Sequence, residues 1–315
     1  MTRYITRRIL LLLLTMIITS AIIFALTQLL PGDIARLALG RDASEVALER
    51  ERERLGLNVP LPEQYVTWLS GFVTGDWGVG FTRGSPPVRP LVMDRLGNTL
   101  LLAGMTLLIS IPLSIFLGVI AALREDSWID SLISLVSLSV VGLPEFVTGI
   151  ILINVFAFEF DVLPSTSLIS NDMTLGRWLE ILILPAVTAT LVLLGYISRM
   201  TRAGVIDELK KPYVRTATLK GIPQTQIIFK HVLRNALLPT ITVIAISIGW
   251  LIGGLVVIEE VFTYPGLGRE LVAAVKTKNI PMIQAIVMLI IFTYAISNLV
   301  ADVLYAVLNP RIRLE

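Results

Sequence analysis

Hydrophobic positions along the chain gather into long runs, and polar positions fall mostly between them. A helix needs about 20 mostly apolar residues to cross the hydrocarbon core of a bilayer. Six runs meet that length. They extend from about Ile9 to Leu30, from about Asn98 to Leu123, and within Ser131–Phe158, Leu179–Arg199, Ala236–Ile258 and Met282–Leu308. The pattern predicts an all-α integral membrane protein with six transmembrane helices. It divides into residues 1–30 (amino terminus and first helix), 31–97 (an external loop region between helices 1 and 2) and 98–315 (a core of five helices, with a long connection at 198–235). The first run is about twice as long as the apolar stretch of a signal peptide, and no good small-x-small cleavage site follows it, so it is read as a retained helix.

Composition agrees with the pattern. Hydrophobic residues make up 55% of the 315 residues and charged residues 16%, against about 25% charged in soluble domains. The mean hydropathy is +0.80. There is no cysteine and a single histidine, His231. Disulfides, thiolate sites and multi-histidine zinc sites are therefore excluded. A net charge of +2 does not suggest nucleic-acid binding.

Lysine and arginine placement gives an orientation. Fourteen lie at the amino terminus, in the second and fourth connections, and at the carboxyl end, against four in the two short opposite connections. The remaining eight lie in residues 31–97, and long loops escape the rule. Both termini and the long connection after the fourth run are expected on the cytoplasmic side.

The stretches between the runs carry their own signals. "SEVALERERERLGL" alternates charges and predicts a solvated helix with i,i+4 pairs, ended by Leu55-Gly56-Leu57 and blocked by Pro60 and Pro62. "YVTWLSGFVTGDWGVGF" reads either as an interfacial aromatic anchor or as a docking cap for an external partner. Gly142-Leu143-Pro144-Glu145 interrupts the third run. Either the break starts the true span near the cytoplasmic surface, which is the reading adopted, or Glu145 lines a path through the membrane. Asn154, Asn298 and Asp302 are the main polar residues within the runs. Glu259 and Glu260 sit at the membrane edge, before a turn at Pro265-Gly266-Leu267-Gly268. Adjacent residues of a helix do not face each other, so a structural or gating role fits this pair better than catalysis. Glu145, Asn154, Glu259 and Glu260 are the candidate pore or gate residues.

The connection from Ser198 to Pro239 is long, basic and helix-forming. Pro212 suits a first helical turn and Gly221 a position just past a helix end, and Pro223 fits beyond it or starts a new helix. Val214, Ala217, Thr218 and Gly221 fall at i, i+3, i+4 and i+7, which gives a short helix one small, nearly flat face. "PQTQIIFKHVLR" then continues as a helix into the fifth run. The small face reads as one that enters a partner's groove, making the segment a lever on the next span. The alternative is a helix lying on an anionic leaflet.

This connection resembles the cytoplasmic loop of importer permeases of the ATP-binding-cassette class, whose pattern is E-A-A-x3-G-x9-I-x-L-P. The chain reads Arg215-Thr216-Ala217-x3-Gly221-x9-His231-x-Leu233-Arg234. Arg215 and Arg234 depart from the generic acidic residue and proline. Together with "YVRTATLKG" and "HVLRNALLP" they look like the dipeptide/oligopeptide branch, in its first-permease type. "LLPGD", "GDWGVGF", "GLPEF", "SRMTR", "VFTYPGLGREL" and "NPRIR" extend the likeness along nearly the whole chain.

The resemblance implies a type I importer permease fold that forms half of a translocation pore for peptides or similar small polar solutes. It implies that Tyr213, Val214, Arg215, Thr216, Ala217, Lys220, Gly221, His231 and Arg234 couple the pore to an ATPase. It also implies a second homologous permease, two ATP-binding subunits and an extracytoplasmic substrate-binding protein, all at a prokaryotic cell (inner or plasma) membrane. Independently of the resemblance, the chain contains no G-x4-G-K-[ST] phosphate loop. "GRDASEVAL" and "GFTRGSPPV" lack the lysine. ATP and Mg²⁺ would thus be used by partner subunits, and this chain is expected to bind no cofactor and no metal. An ion-coupled secondary transporter is the alternative, for which neither inverted repeats nor midplane ion pairs are evident. A membrane enzyme fits least.

Overall fold

The long apolar runs become long helices in the computed structural model, which describes residues 2–29, 34–40, 43–80, 86–170 and 173–308. The helices are α1 (Thr2–Gln28), α2 (Ile34–Leu39), α3 (Glu45–Arg54), α4 (Leu61–Thr74), α5 (Val88–Leu123), α6 (Trp128–Gly142), α7 (Glu145–Ile153), α8 (Leu175–Leu209), α9 (Pro212–Leu219), α10 (Gln224–Gln226), α11 (Leu233–Val261), α12 (Leu267–Lys276) and α13 (Ile280–Leu308). A π-helical segment, Asn154–Glu159, extends α7, and a second, Ile227–Val232, joins α10 to α11. Among the described residues five helical segments are long and apolar enough to cross a membrane, and the bent pair of α6 with α7 supplies a sixth crossing if counted as one. "NPRIR", four residues of "LLPGD" and most of "GFTRGSPPV" lie outside the described residues.

Two expectations about the spans change. The third run is not one rod: α6 and the extended α7 meet at 107°. Pro144 has no N–H to give and pushes Leu143 into extended backbone (ψ 136°), so the helix cannot run through. The fourth run is much longer than its apolar stretch. With 35 residues, α8 exceeds a crossing by roughly four turns, and it absorbs the first third of what reads in sequence as a loop.

The chain divides into two compact units. One holds Met1–Thr99 and Pro265–Ala295. Its core joins Val88 and Val92 of α5 to Leu267 and Ala274 of α12 and Ile286 of α13. The Thr99 hydroxyl accepts the Leu267 N–H at 2.8 Å, satisfying one of the orphan donors that start α12. In α3, Arg52–Glu49 and Arg54–Glu51 pair at i,i+3, not at the expected i,i+4 spacing. The charged helix ends at Arg54, and Pro62 sits in the opening turn of the next, α4, where no N–H is needed. The aromatics of α4 pack on α1 and on the segment that follows: Tyr65 meets Phe24 edge-on at 5.5 Å, Trp68 meets it tilted at 5.8 Å, and Phe72 stacks on Trp77 at 5.1 Å. Their rings bind α4 to its own unit, beyond either role read from sequence.

The second unit holds Leu100–Tyr264 and Ile296–Glu315. Here α8 is central: it packs against α6, α7 and α11, and most of its apolar window is buried. Leu193 and Ile197 of α8 meet Leu251 and Leu255 of α11 and Leu102 of α5 in one apolar core.

Candidate functional site

The polar chemistry of the second unit concentrates where α8 ends. Glu208 lies in the last turn of α8 and is 5% exposed. A carboxylate buried to that extent needs donors, and the local sequence delivers them from three directions. Lys211, three residues on, forms an ion pair with it. The Tyr213 hydroxyl, in the first turn of α9, donates to it at 2.8 Å. Asn235, in the first turn of α11, donates its amide N–H at 3.2 Å. Burial first, and the bond to Glu208 second, hold the Tyr213 phenol above its usual range. One carboxylate thus ties together the end of α8, the whole of α9 and the start of α11.

The backbones meet just before this junction. A Cβ added at Gly204 of α8 would lie 2.4 Å from the Ala236 carbonyl oxygen of α11, so only glycine permits that approach. One turn earlier the Thr201 and Thr240 hydroxyls meet at 3.3 Å. The other side of α8 is fastened as well. Arg202 grips Asp130 of α6 with both arms, at 2.6 Å each, the bidentate geometry of strong charge-assisted bonds. Lys210 reaches Glu125 at 3.0 Å.

Helix α9 has eight residues, too few to be stable alone. It is held by packing. Val214 and Ala217 insert into a cluster with Ala122 of α5, Val205 and Ile206 of α8, Ile227 and Val232 of the π segment, and Ala236 of α11. This changes half of the face expected to enter a partner: Val214 and Ala217 pack against the protein, whereas Thr218 and Gly221 stay exposed. The end of α9 is as the glycine predicts. Gly221 has φ 72°, its N–H bonds the Thr218 carbonyl at 3.0 Å, and the Ile222 N–H bonds the Ala217 carbonyl at 3.3 Å. That is a Schellman closure, and Ile222 and Ala217 both pack against the same apolar cluster. Pro212 opens the helix.

The outward face presents Arg215, Thr216, Lys220 and Leu219, the last 81% exposed. Of the remaining expected coupling residues, His231 is half-buried in the π segment and Arg234 is exposed at the start of α11. The structure thus brings Tyr213 through His231 together around one short helix. It does not assemble the pore candidates. Glu145 opens α7 at the bend, Asn154 is exposed, Glu259 is fully buried, and Glu260 is exposed on the other side of the same helix. Among the described residues no three histidine or acidic side chains converge as a metal site would need.

Sequence reading missed Glu208, Arg202, Asp130 and Gly204. Arg202 and Lys210 counted only as orientation charges, and the second acid of "DELKKPY" was passed over before its two lysines. An open cleft of about 290 Å³ between α8 and α11, lined by Leu193, Tyr196, Val243, Ile246, Ser247 and Trp250, was likewise unread.

Comparison with known proteins accounts for nearly the whole chain. Residues 114–314 match the family model described as "Binding-protein-dependent transport system inner membrane component", and residues 1–103 match the model of its N-terminal part. The chain is 38% identical over 310 residues to a probable peptide ABC transporter permease protein, y4tP, of Sinorhizobium fredii (strain NBRC 101917 / NGR234), covering 98% of this chain and 99% of that protein. It is 37% identical over 313 residues, 99% of each, to the glutathione transport system permease protein GsiC of Escherichia coli (strain K12), and equally to that of Shigella dysenteriae serotype 1 (strain Sd197).

Proposed function

We propose that this chain, which belongs to the family of binding-protein-dependent transport system inner membrane components, forms half of the translocation pore of an ATP-driven importer for peptides or similar small polar solutes. Its relatives' names point to peptides and to glutathione, itself a small peptide. Two ATP-binding subunits would use ATP and Mg²⁺. A second homologous permease would complete the pore, and the mostly apolar cleft between α8 and α11 suits a partner helix. An extracytoplasmic binding protein would deliver the solute, and both termini would face the cytoplasm.

The observation that carries this reading is the Glu208 junction beneath α9. A push on the outward face of α9 reaches α8 through Glu208 and α11 through Asn235, so two membrane-crossing helices respond together. The arrangement also disfavours a helix lying on lipid. Such a helix needs an apolar face free to enter the bilayer, and that of α9 is spent on Val205, Ile227 and Ala236. Leu219 alone among its large aliphatic side chains faces out, which suits an anchor in a protein groove.

The chain has no cysteine, so Leu219→Cys provides a unique thiol. In the complete transporter reconstituted in vesicles, a short bifunctional reagent is expected to link that thiol to an ATP-binding subunit, with ATP driving uptake of labelled peptide. Absence of any link, together with uptake driven by an ion gradient without ATP, would reject the reading.

A further inference from the structure

In the first unit, a cavity of about 310 Å³ opens where the spans of α1 and α13 have their ends. Phe24 and Trp68 wall it, and Gln28, Gln64, Gln284 and Glu63 reach into it. The volume is that of a small-molecule site.

The hydrogen bonds settle which way the three amides point. The Thr27 hydroxyl spends its proton on the Phe24 carbonyl at 2.8 Å. It can therefore only accept from Gln284, whose Nε2 approaches at 2.7 Å. The Gln284 Oε1 is left without a partner among the described residues, on a side chain that is 4% exposed. Gln64 gives its Nε2 to the Leu57 and Val59 carbonyls at 3.2 and 2.7 Å. Its Oε1 accepts from the Gln28 Nε2 at 3.3 Å, and the Gln28 Oε1 is left without a partner among the described residues. The Glu63 carboxylate is exposed and takes no hydrogen bond among the described residues. Among the described residues no lysine, arginine or histidine lines the cavity. Its lining therefore offers two amide oxygens, one formal negative charge and two aromatic faces, beside the Thr67 hydroxyl and the Trp68 indole N–H, so acceptors and negative charge predominate.

We infer that this cavity binds a primary ammonium group on a short apolar stem. An ammonium brings three donors and no acceptor, the complement of the oxygens left over here. Its charge is met by Glu63 and by the face of Trp68, and its stem by Phe24. A free amine in solution, such as the terminus of a small peptide, and the headgroup of an ethanolamine lipid share this chemistry.

The test uses the full-length chain in nanodiscs of phosphatidylglycerol, titrated with phenethylammonium and, separately, with its neutral N-acetyl amide. Tryptophan emission and calorimetry read the binding. The ammonium is expected to bind saturably, and Glu63→Gln to weaken it by about tenfold, the loss of one charge-assisted bond. The N-acetyl amide is expected to bind at least about tenfold more weakly than the ammonium. Replacing the lipid with phosphatidylethanolamine separates the sources. Competition by the lipid assigns the site to a headgroup, and an unchanged isotherm assigns it to an aqueous amine. Equal binding of ammonium and amide, no binding of either, or full affinity in a Glu63→Gln variant that elutes as the native chain does, would overturn the assignment.

Discussion

The Glu208 junction and the glutamine-lined cavity are both polar sites beside membrane-crossing helices, and they are opposite in their accounts. At Glu208 one acceptor group meets a lysine, a phenol and an amide, all from the chain itself. At the cavity Gln284 and Gln64 turn amide donors onto Thr27, Leu57 and Val59, and amide oxygens are left over. A saturated network fixes the segments it joins and can pass a displacement between them. An unsaturated one leaves a place for a ligand's donors. The difference separates a site built to transmit from a site built to bind, although both read in sequence as a few scattered polar residues.

That contrast can be broken or sharpened by substitution. The largest effect is expected at Gly204→Val, where the added carbons collide with the Ala236 carbonyl. Overpacking at a backbone contact should cost roughly 2–3 kcal/mol, seen as a lowered thermal midpoint in detergent, and peptide uptake should be lost. A native midpoint would mean that α8 and α11 do not depend on this contact. A smaller effect is expected from Tyr213→Phe, which removes one donor from the buried carboxylate. About 1 kcal/mol of stability should go with it. Glu63→Gln, at the cavity, should change stability by less than about 0.5 kcal/mol, because no bond of the folded chain is lost. If these two substitutions destabilise equally, the saturated and unsaturated accounts are wrong as a pair.

Much of the fold was legible because the membrane imposes a length on apolar runs. Gly221 and Pro212 were legible because backbone conformation and a missing N–H leave few positions for them. The inward face of α9 was not. Val214 and Ala217 at i, i+3 describe a small face without saying what covers it, and only the approach of Ala122, Val205 and Ile227 decides that it is core. Glu208 escaped for a similar reason. Its lysine and tyrosine partners lie 3 and 5 residues away, but the bond to Asn235 spans 27 residues and exists only once α11 returns beside α8. The Arg202–Asp130 clasp spans 72 residues, and charge counting along the chain cannot see it. The bend at Leu143-Pro144 was visible as a break, while its angle depends on what α6 and α7 each pack against.

The central claim is that Glu208 makes α8, α9 and α11 move together. Its most direct test is the ratio of peptide imported to ATP hydrolysed by the complete transporter carrying Glu208→Gln. That substitution keeps the shape but removes the charge that Lys211 pairs with and makes the group a poorer acceptor for Tyr213. The account predicts that ATP hydrolysis persists while imported peptide per ATP falls by about tenfold, the value of one charge-assisted bond. An unchanged ratio would contradict it, and would place the link between α9 and the membrane helices elsewhere.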